Sequence, residues 1–176
     1  TLKDFRTIID RYMINEVVVT ATSAAREAKN RQYFIDLVRK ETGFDIEVIS
    51  GEEEARRTFL GIMQGIGKGS GDIAAIDIGG GSTEFILGKE GRIKEKISSN
   101  LGVVKLTEKY IKSDPILQSD LMRMQGEIRA MIREVVLRMG NMGGSILVGT
   151  AGSITTLAAI DQKMEAYNPL RINNCI

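Results

Sequence analysis

The chain has 176 residues, of which 24 are Lys or Arg and 23 are Asp or Glu, so its formal net charge is only +1. This balance excludes the broad basic surface typical of nucleic-acid binding, and a polyanionic ligand would have to be attracted by a local site. The chain contains no histidine and one cysteine, Cys175. A Ser-His or Cys-His dyad, a histidine-ligated zinc site and a disulfide framework are therefore excluded, and a carboxylate is the favoured general base.

The hydropathy pattern gives no sign of a membrane protein. No apolar run approaches the roughly 20 residues needed to span a bilayer, and the first residues are typical of a helix rather than a signal peptide. A single cysteine agrees with a reducing compartment. We therefore expect a cytoplasmic protein without nucleic-acid or membrane partners.

Hydrophobic periodicity and capping signals predict alternating helices and strands. The first predicted elements are a helix over 2–13, a buried strand over 16–21, a helix over 26–42 ended by Gly43, a strand over 45–49 and a helix over 51–63. After a glycine-rich loop over 65–71 follow strands over 72–78, 83–88 and 93–98, helices over 103–111 and 116–139, a strand over 145–149 and a helix over 154–164. This order predicts an α/β fold whose mixed sheet contains parallel and antiparallel pairs, with a domain boundary near Ser50.

The strongest chemical motif is Asp77-Ile78-Gly79-Gly80-Gly81-Ser82-Thr83-Glu84, between two predicted strands. Consecutive glycines let backbone N–H groups converge on an anion because no Cβ blocks the approach, and the two hydroxyl groups add donors. The motif is not a Walker A loop, since no Gly-Lys-Ser/Thr follows, nor a Rossmann turn, since the next segment alternates like a strand. A phosphate loop at a hairpin tip is one interpretation, and an ordinary hairpin turn is the other.

Two further segments each lie between a strand and a helix. In residues 149–153, N–H groups and the helix dipole favour phosphate. Gly149-Thr150-Ala151-Gly152-Ser153 is such a segment, although a connection of small residues explains it equally well. In residues 22–30, Arg26 offers a forked phosphate ligand, with Ser23 and Asn30 adding hydrogen bonds. A capped helix with a solvated arginine is the alternative there.

Three acids, Glu52, Glu53 and Glu54, open the helix that follows Ser50. Ser50 and Glu53 have the spacing of a capping box, and acids in a first helical turn commonly interact with the helix dipole. A second carboxylate can face a cleft only if the start of this helix lines it. The spacing alone does not decide between these roles.

Five segments, in this order along the chain, resemble the exopolyphosphatase/guanosine pentaphosphate (pppGpp) phosphohydrolase family, a branch of the actin-like phosphotransferase superfamily. Each segment is modestly specific by itself, whereas all five in order are highly specific. They are ATSAAREAKN (21–30), ISGEEEAR (49–56), AIDIGGGSTEFILG (75–88), NLGVVKLTE (100–108) and GTAGSITTLAAI (149–160).

The resemblance implies two RNase H-like lobes around a cleft, with residues 1–50 belonging to the first lobe and residues 51–176 to the second. It also implies a magnesium-dependent hydrolase that releases terminal orthophosphate from inorganic polyphosphate or pppGpp, the latter linked to the stringent response. A homodimer is a further expectation of the resemblance.

Residue roles follow from the same resemblance. Glu54, the last acid before Ala55, aligns with the base that activates the attacking water, and Arg26 aligns with the phosphate-binding arginine. Asp77 and Glu84 are the expected ligands of Mg²⁺ or its water shell. The remaining expected phosphate contacts come from Ser23, Asn30, Gly79, Gly80, Gly81, Ser82, Thr150, Gly152 and Ser153.

The sequence departs from the family in one respect: an earlier Asp-x-Gly-Ser-Asn-Ser phosphate loop has no counterpart in it. We therefore expect the first lobe to be incomplete and these residues alone to be nearly inactive. Two other functions fit the same motifs, namely a kinase or ATPase of the superfamily and a non-catalytic polyphosphate or (p)ppGpp sensor. Preferential turnover of ATP would indicate the former, and indifference to loss of Glu54 the latter.

Overall fold

The computed structural model describes residues 1–66 and 71–173, so most of the predicted loop over 65–71 and Cys175 lie outside the described residues. Contacts divide the chain into two compact units, Thr1–Ser50 and Gly51–Ile176. Helices flank a mixed sheet in the larger unit, which confirms the predicted α/β class. Within the described residues, no helix combines the length and apolar character that crossing a bilayer requires.

The smaller unit consists of three helices and one pair of parallel strands. Gly43 ends the third helix in the left-handed conformation (φ 71°), as predicted, since glycine adopts this conformation without steric cost. The strands pair in the register Val19↔Ile46. The elements are α1 (Leu2–Arg11), β1 (Val19–Ala21), α2 (Ser23–Glu27), α3 (Arg31–Thr42) and β2 (Ile46–Val48).

Two sequence predictions in this unit are wrong in detail. The buried strand over 16–21 is reduced to β1, and Val18 is 79% exposed, because β2 offers only three residues for pairing. The single helix over 26–42 is two helices. The backbone of Ala28 is extended (φ −64°, ψ 127°), so the hydrogen bonding of α2 does not continue into α3.

The larger unit is built on a four-stranded sheet in the order β5-β4-β3-β6. The strands β3, β4 and β5 form an antiparallel meander, and β6 runs parallel to β3. The elements are α4 (Gly51–Ile66), β3 (Ile73–Ile78), β4 (Thr83–Lys89), β5 (Arg92–Ser99), α5 (Val103–Tyr110), α6 (Gln118–Met139), β6 (Ile146–Thr150), α7 (Ala151–Asp161) and α8 (Pro169–Ile172).

Each face of this sheet has its own hydrophobic core, because side chains alternate between the faces along a strand. One core joins the sheet to α4 and contains Ala55, Phe59, Ile62, Ile73, Ala75 and Ile86. The other joins it to α5 and α6 and contains Phe85, Leu87, Ile97, Leu101, Leu106, Val135 and Met139. Helix α4 therefore covers the face that carries residues 73, 75 and 77 of β3 and residues 84 and 86 of β4.

Helix α7 begins earlier than the sequence predicts. The turn expected at residues 150–153 is the end of β6 followed directly by the first residues of α7, and the helix ends at Asp161 rather than at residue 164. Ala151 is left-handed (φ 69°), which lets the chain change from strand to helix in one residue. The short helix α8 was not predicted.

Helix α4 and strand β4 approach so closely at Gly88 that a larger residue does not fit. A Cβ added to Gly88 would lie 2.3 Å from Cε2 of Phe59, which is 3% exposed and enclosed by its core. We expect Gly88→Ala to lower the free energy of unfolding by about 1–3 kcal/mol, measured by urea denaturation. Gly126→Ala is the matched control, since open space surrounds Gly126 on α6 and alanine favours a helix by up to about 1 kcal/mol. Equal stability of the two variants would contradict this packing.

Candidate functional site

The interface between α4 and the sheet is apolar at one end and carboxylate-rich at the other. Asp77 and Glu84 are direct cross-strand partners in the β3–β4 ladder, on the face that α4 covers. Ser98 of β5 lies opposite Glu84, and Thr150 of β6 lies opposite Asp77. Four neighbouring strands thus place two acids and two hydroxyl groups in one row where the strands meet the glycine turn.

Glu84 is a buried carboxylate, with 1% of its surface exposed. Burial raises the pKa of Glu84, and the negative charges of Glu54 and Asp77 raise it further, whereas hydrogen bonds from Ser98 and Ser82 act in the opposite direction. These interactions bring Glu54, on the first turn of α4, into the same electrostatic cluster as the two strand acids.

The three acids at the start of α4 have different surroundings. Glu53 accepts hydrogen bonds from Arg56 and Arg57 at 2.7 Å, and these bonds lower the pKa of Glu53 to about 2. The Glu52 side chain is 78% exposed. Glu54 is therefore the acid of this turn that interacts with the buried Glu84, and it is the residue that the family resemblance selects.

The glycine turn is a hairpin closed by a hydrogen bond from Gly79 N–H to the Ser82 carbonyl at 3.0 Å. The Gly79 amide is thus engaged within the turn. The Gly79 carbonyl accepts from Val103 N–H at 3.1 Å, and the Gly80 carbonyl accepts from Val104 N–H at 2.9 Å. These contacts satisfy the first amides of α5, which have no acceptor within the helix.

This bonding also sets the direction of the turn's own amides. In a trans peptide the C=O and the next N–H point in opposite directions. Because the carbonyls of Gly79 and Gly80 point towards α5, the amides of Gly80 and Gly81 point away from it. Within the described residues neither amide donates to a protein acceptor. Two adjacent N–H groups with a common direction form an anion-binding concavity.

Gly102 allows α5 to approach the turn. A Cβ at this position would lie 2.3 Å from the Gly80 carbonyl oxygen and 2.4 Å from Gly81 Cα. The segment NLGVVKLTE was recognised from the sequence as part of the family pattern, but its role as the support of the glycine turn was not predicted.

Thr150 is the last residue of β6 and the N-cap residue of α7, opposite Asp77, and its side chain makes no capping hydrogen bond. Its hydroxyl oxygen is buried and has no hydrogen-bond partner within the described residues. Buried hydroxyl groups are rarely left unpaired, so a ligand or water is expected to complete this one. The neighbouring Gly152 is exposed and Ser153 half-buried in the first turn of α7, where amides lack intrahelical acceptors.

The other predicted phosphate residues belong to the unit Thr1–Ser50. Arg26 Nη1 donates to the Ile49 carbonyl at 2.7 Å, which fixes one side of its guanidinium group. Ser23 is buried and its hydroxyl donates to Glu27 at 2.9 Å, so this hydroxyl is engaged inside α2. Asn30 is the N-cap residue of α3, without a capping bond from its side chain.

Two residues that sequence reasoning missed contact the acids directly. The hydroxyl of Thr58 on α4 donates to Asp77 Oδ2 at 3.1 Å, and the hydroxyl of Ser98 donates to Glu84 Oε1 at 2.8 Å. Thr58 could have been found from its position four residues after Glu54, on the same helix face. Ser98 could not be found by counting from the β4–β5 turn, because a bulge between Leu87 and Gly88 shifts the register.

The donor set limits the metals that this site can hold. Within the described residues, no group of three or more His, Cys, Asp or Glu residues has a metal-binding arrangement. Mg²⁺ is usually held by one or two carboxylates, with waters and substrate phosphates completing its octahedron. Asp77 and Glu84 fit this mode. They offer only carboxylate oxygens, whereas zinc prefers sites that include nitrogen or sulfur ligands.

Comparison with known proteins identifies relatives over nearly the whole chain. Residues 1–174 match the model of the Ppx/GppA phosphatase family. Exopolyphosphatase 2 of Mycobacterium tuberculosis is 32% identical over 177 residues, covering 98% of this chain and 55% of the relative. A bifunctional 3-dehydroquinate synthase/phosphatase of Fusobacterium nucleatum is 36% identical over 98% of this chain and 26% of the relative.

Solved structures agree with this result. The Ppx/GppA family member of Aquifex aeolicus superposes with a TM-score of 0.76 at 34% identity, over 97% of this chain and 54% of that chain. An exopolyphosphatase from Cytophaga hutchinsonii gives a TM-score of 0.82 at 30% identity, over 94% and 54% respectively. The chain thus spans about half the length of these two exopolyphosphatases.

The buried charge of Glu84 predicts a pH-dependent gain in stability when it is removed. Glu84→Gln keeps the side-chain shape and an acceptor for Ser98. The folded-state pKa of Glu84 is raised above the ordinary 4.5, so the folded protein holds this proton more tightly than the unfolded chain does. The wild type therefore loses stability relative to the variant as pH rises from 4.5 through the folded-state pKa. In EDTA we expect a higher melting temperature for the variant at about pH 8 and a smaller difference at about pH 4. Glu52→Gln, an exposed control, should show little of this pH dependence, and a less stable Glu84→Gln at about pH 8 would contradict it.

The contact between Gly102 and the turn predicts that a methyl group there cannot be tolerated. Gly102→Ala would press on backbone atoms of Gly80 and Gly81, which can move only if the turn moves. We expect a loss of about 1–3 kcal/mol in the free energy of unfolding, measured by urea denaturation. Gly61→Ala on α4 meets open space and serves as the control. Wild-type stability of Gly102→Ala would mean that α5 does not support the turn in this way.

Proposed function

The chain belongs to the Ppx/GppA phosphatase family, and from this premise we propose that the full-length protein is an exopolyphosphatase. It removes the terminal phosphate of inorganic polyphosphate by water attack. The observation that carries the proposal is the pairing of Asp77 with Glu84 at the end of the glycine turn, where the amides of Gly80 and Gly81 point away from α5 and Glu84 interacts with Glu54. A base, an anion-binding turn and two metal-binding carboxylates are the groups that hydrolysis of a phosphoanhydride requires.

In this mechanism, Glu54 accepts the proton of the attacking water. The water oxygen bonds to the terminal phosphorus, the bond to the bridging oxygen breaks, and the shortened chain leaves with the electron pair. The amides of Gly80 and Gly81 bind the non-bridging oxygens of the terminal phosphate, where charge develops. Ser82 is proposed as a further phosphate contact on the family resemblance alone. Thr150, Gly152 and Ser153 add donors from β6 and α7.

Asp77 and Glu84 are the proposed holders of Mg²⁺, directly or through its water shell. When bound, Mg²⁺ would neutralise phosphate charge and orient the substrate. The oxygen-only character of these side chains supports this assignment, as does the cross-strand pairing that brings two carboxylates together. Neutralisation by a cation would also relieve the repulsion that raises the pKa of Glu84.

Further parts of the proposal rest on the family resemblance. Arg26 is proposed as a phosphate ligand, with its guanidinium fixed on one side by the Ile49 carbonyl. The family's earlier phosphate loop has no counterpart in these 176 residues, so we propose that they hydrolyse little by themselves. The full-length protein is proposed to act in the cytoplasm as a homodimer, and pppGpp is proposed as a second substrate because it also ends in a phosphoanhydride.

The function is tested by phosphate release from long-chain polyphosphate, pppGpp and ATP, each assayed side by side with the full-length protein and Mg²⁺. We expect phosphate to be released from polyphosphate and from pppGpp, with ATP barely consumed. Preferential turnover of ATP would indicate a kinase or ATPase instead, and no release from any of the three would favour a sensor.

Substitution of the proposed base tests the mechanism. Glu54→Gln should lower kcat by about 10²–10⁴-fold, the usual contribution of a general base, while polyphosphate binding is retained. Glu52→Gln is the matched control on the same helical turn, because the Glu52 side chain is exposed and outside the proposed machinery. Full activity of Glu54→Gln would overturn the assignment of the base.

A further inference from the structure

Two hydroxyl groups, one from α4 and one from β5, donate hydrogen bonds to the paired acids. Thr58 reaches Asp77 from α4, with 3.1 Å between Oγ1 and Oδ2. Ser98 reaches Glu84 from β5, with 2.8 Å between Oγ and Oε1. The two donors therefore come from different elements, and each engages one oxygen of a different carboxylate.

Thr58 is well placed because the helix that carries it is fixed to the sheet. It lies four residues after Glu54, so both side chains project from the same face of α4, about one turn apart. Its neighbour Phe59 is 3% exposed and packs against Gly88 of β4. The position of the hydroxyl relative to β3 is thus set by the core rather than by the flexibility of an exposed side chain.

The acids need such donors because two like charges face each other across one rung of the ladder. A donor fixed by the fold offsets part of this repulsion and restricts each carboxylate to one orientation. A hydrogen bond to a carboxylate oxygen restricts the side-chain torsions, and at Glu84 a hydrogen bond from Ser82 adds to this restriction. Each carboxylate oxygen has a second lone pair that a cation can use. Groups that orient metal ligands in this manner commonly change metal affinity by about 10–100-fold when removed.

We propose that Thr58 and Ser98 are positioning residues that hold Asp77 and Glu84 in the geometry that binds a divalent cation. The inference rests on the proposed function for the identity of the reaction, but not for the binding of the cation itself. Neither residue contacts substrate in this scheme, and both act through the carboxylates.

Thr58 allows a clean test, since valine has nearly the shape of threonine without the donor and serine keeps the donor. Binding of Mn²⁺ alone to the full-length protein, measured by electron paramagnetic resonance of the free ion, is the main readout. We expect Thr58→Val to weaken Mn²⁺ binding about 10-fold or more, and Thr58→Ser to restore most of the affinity. The Mg²⁺ concentration for half-maximal phosphate release should shift in parallel.

Matched variants separate positioning from folding. Thr7→Val removes a hydroxyl that donates to the Lys3 carbonyl of its own helix, so it should leave Mn²⁺ binding unchanged. Ser98→Ala should weaken Mn²⁺ binding in the same direction as Thr58→Val. Melting temperatures identify any variant that fails to fold. If Thr58→Val fails, Ser98→Ala still tests the loss of a donor, and Thr58→Ser shows whether loss of the methyl group alone changes Mn²⁺ binding.

The outcomes distinguish this inference from the proposed function. Wild-type Mn²⁺ affinity in Thr58→Val and Ser98→Ala, or no Mn²⁺ binding by the wild type, would overturn the inference even if phosphate is released. Weakened Mn²⁺ binding in both variants would support it even if the wild type releases no phosphate from polyphosphate, a result that would count against the proposed function alone.

Discussion

The burial of the Glu84 carboxylate, close to Glu54 and Asp77, is the constraint on which the carboxylate end of the sheet in the larger unit depends. Two carboxylates face each other across one rung of the β3–β4 ladder, and one of them is almost completely buried. Like charges directly opposite in a sheet are destabilising, so this arrangement persists only because the surrounding structure enforces it. The apolar contacts of α4, two hydroxyl donors and the closure of the glycine turn provide that enforcement.

The glycine turn and α5 stabilise each other through the same bonds. The turn supplies carbonyl acceptors to the first amides of α5, and α5 fixes the peptide planes of the turn. An anion-binding site that is preorganised in this way does not have to reorient its dipoles as charge develops on a ligand. The close approach at Gly102 is what makes this mutual support sterically feasible.

Much of the larger unit could be predicted from the sequence, because its signals are local. Alternation in β3 and β4 and the consecutive glycines between them are sufficient to predict the hairpin and the pairing of its terminal acids. The different surroundings of Glu52, Glu53 and Glu54 could not be derived from spacing, since they depend on Arg56 and Arg57 both donating to Glu53. The resemblance to a family, rather than periodicity, singled out Glu54.

The sequence predictions are wrong where residues distant in the chain determine the local structure. The length of β1 is limited by the three residues of β2, and the start of α7 depends on a left-handed alanine that no propensity would favour. The hydrogen bond from Ser98 to Glu84 joins two positions 14 residues apart in the chain, and the bulge between them prevents its prediction by counting from the turn. Only the assembled sheet brings these groups together.

The side chains of β4 alternate between the two faces of the sheet, and this alternation restricts where residues can be inserted or deleted during evolution. Even-numbered positions face the acids and α4, while Phe85 and Leu87 face α5 and α6. Inserting or deleting one residue between Glu84 and Leu87 would move either Glu84 or the pair Phe85 and Leu87 to the opposite face of the sheet. Beyond that segment, the bulge at Leu87/Gly88 already absorbs one extra residue of β5. Length variation among homologues should therefore concentrate at the Glu90–Gly91 turn and be absent from the first half of β4.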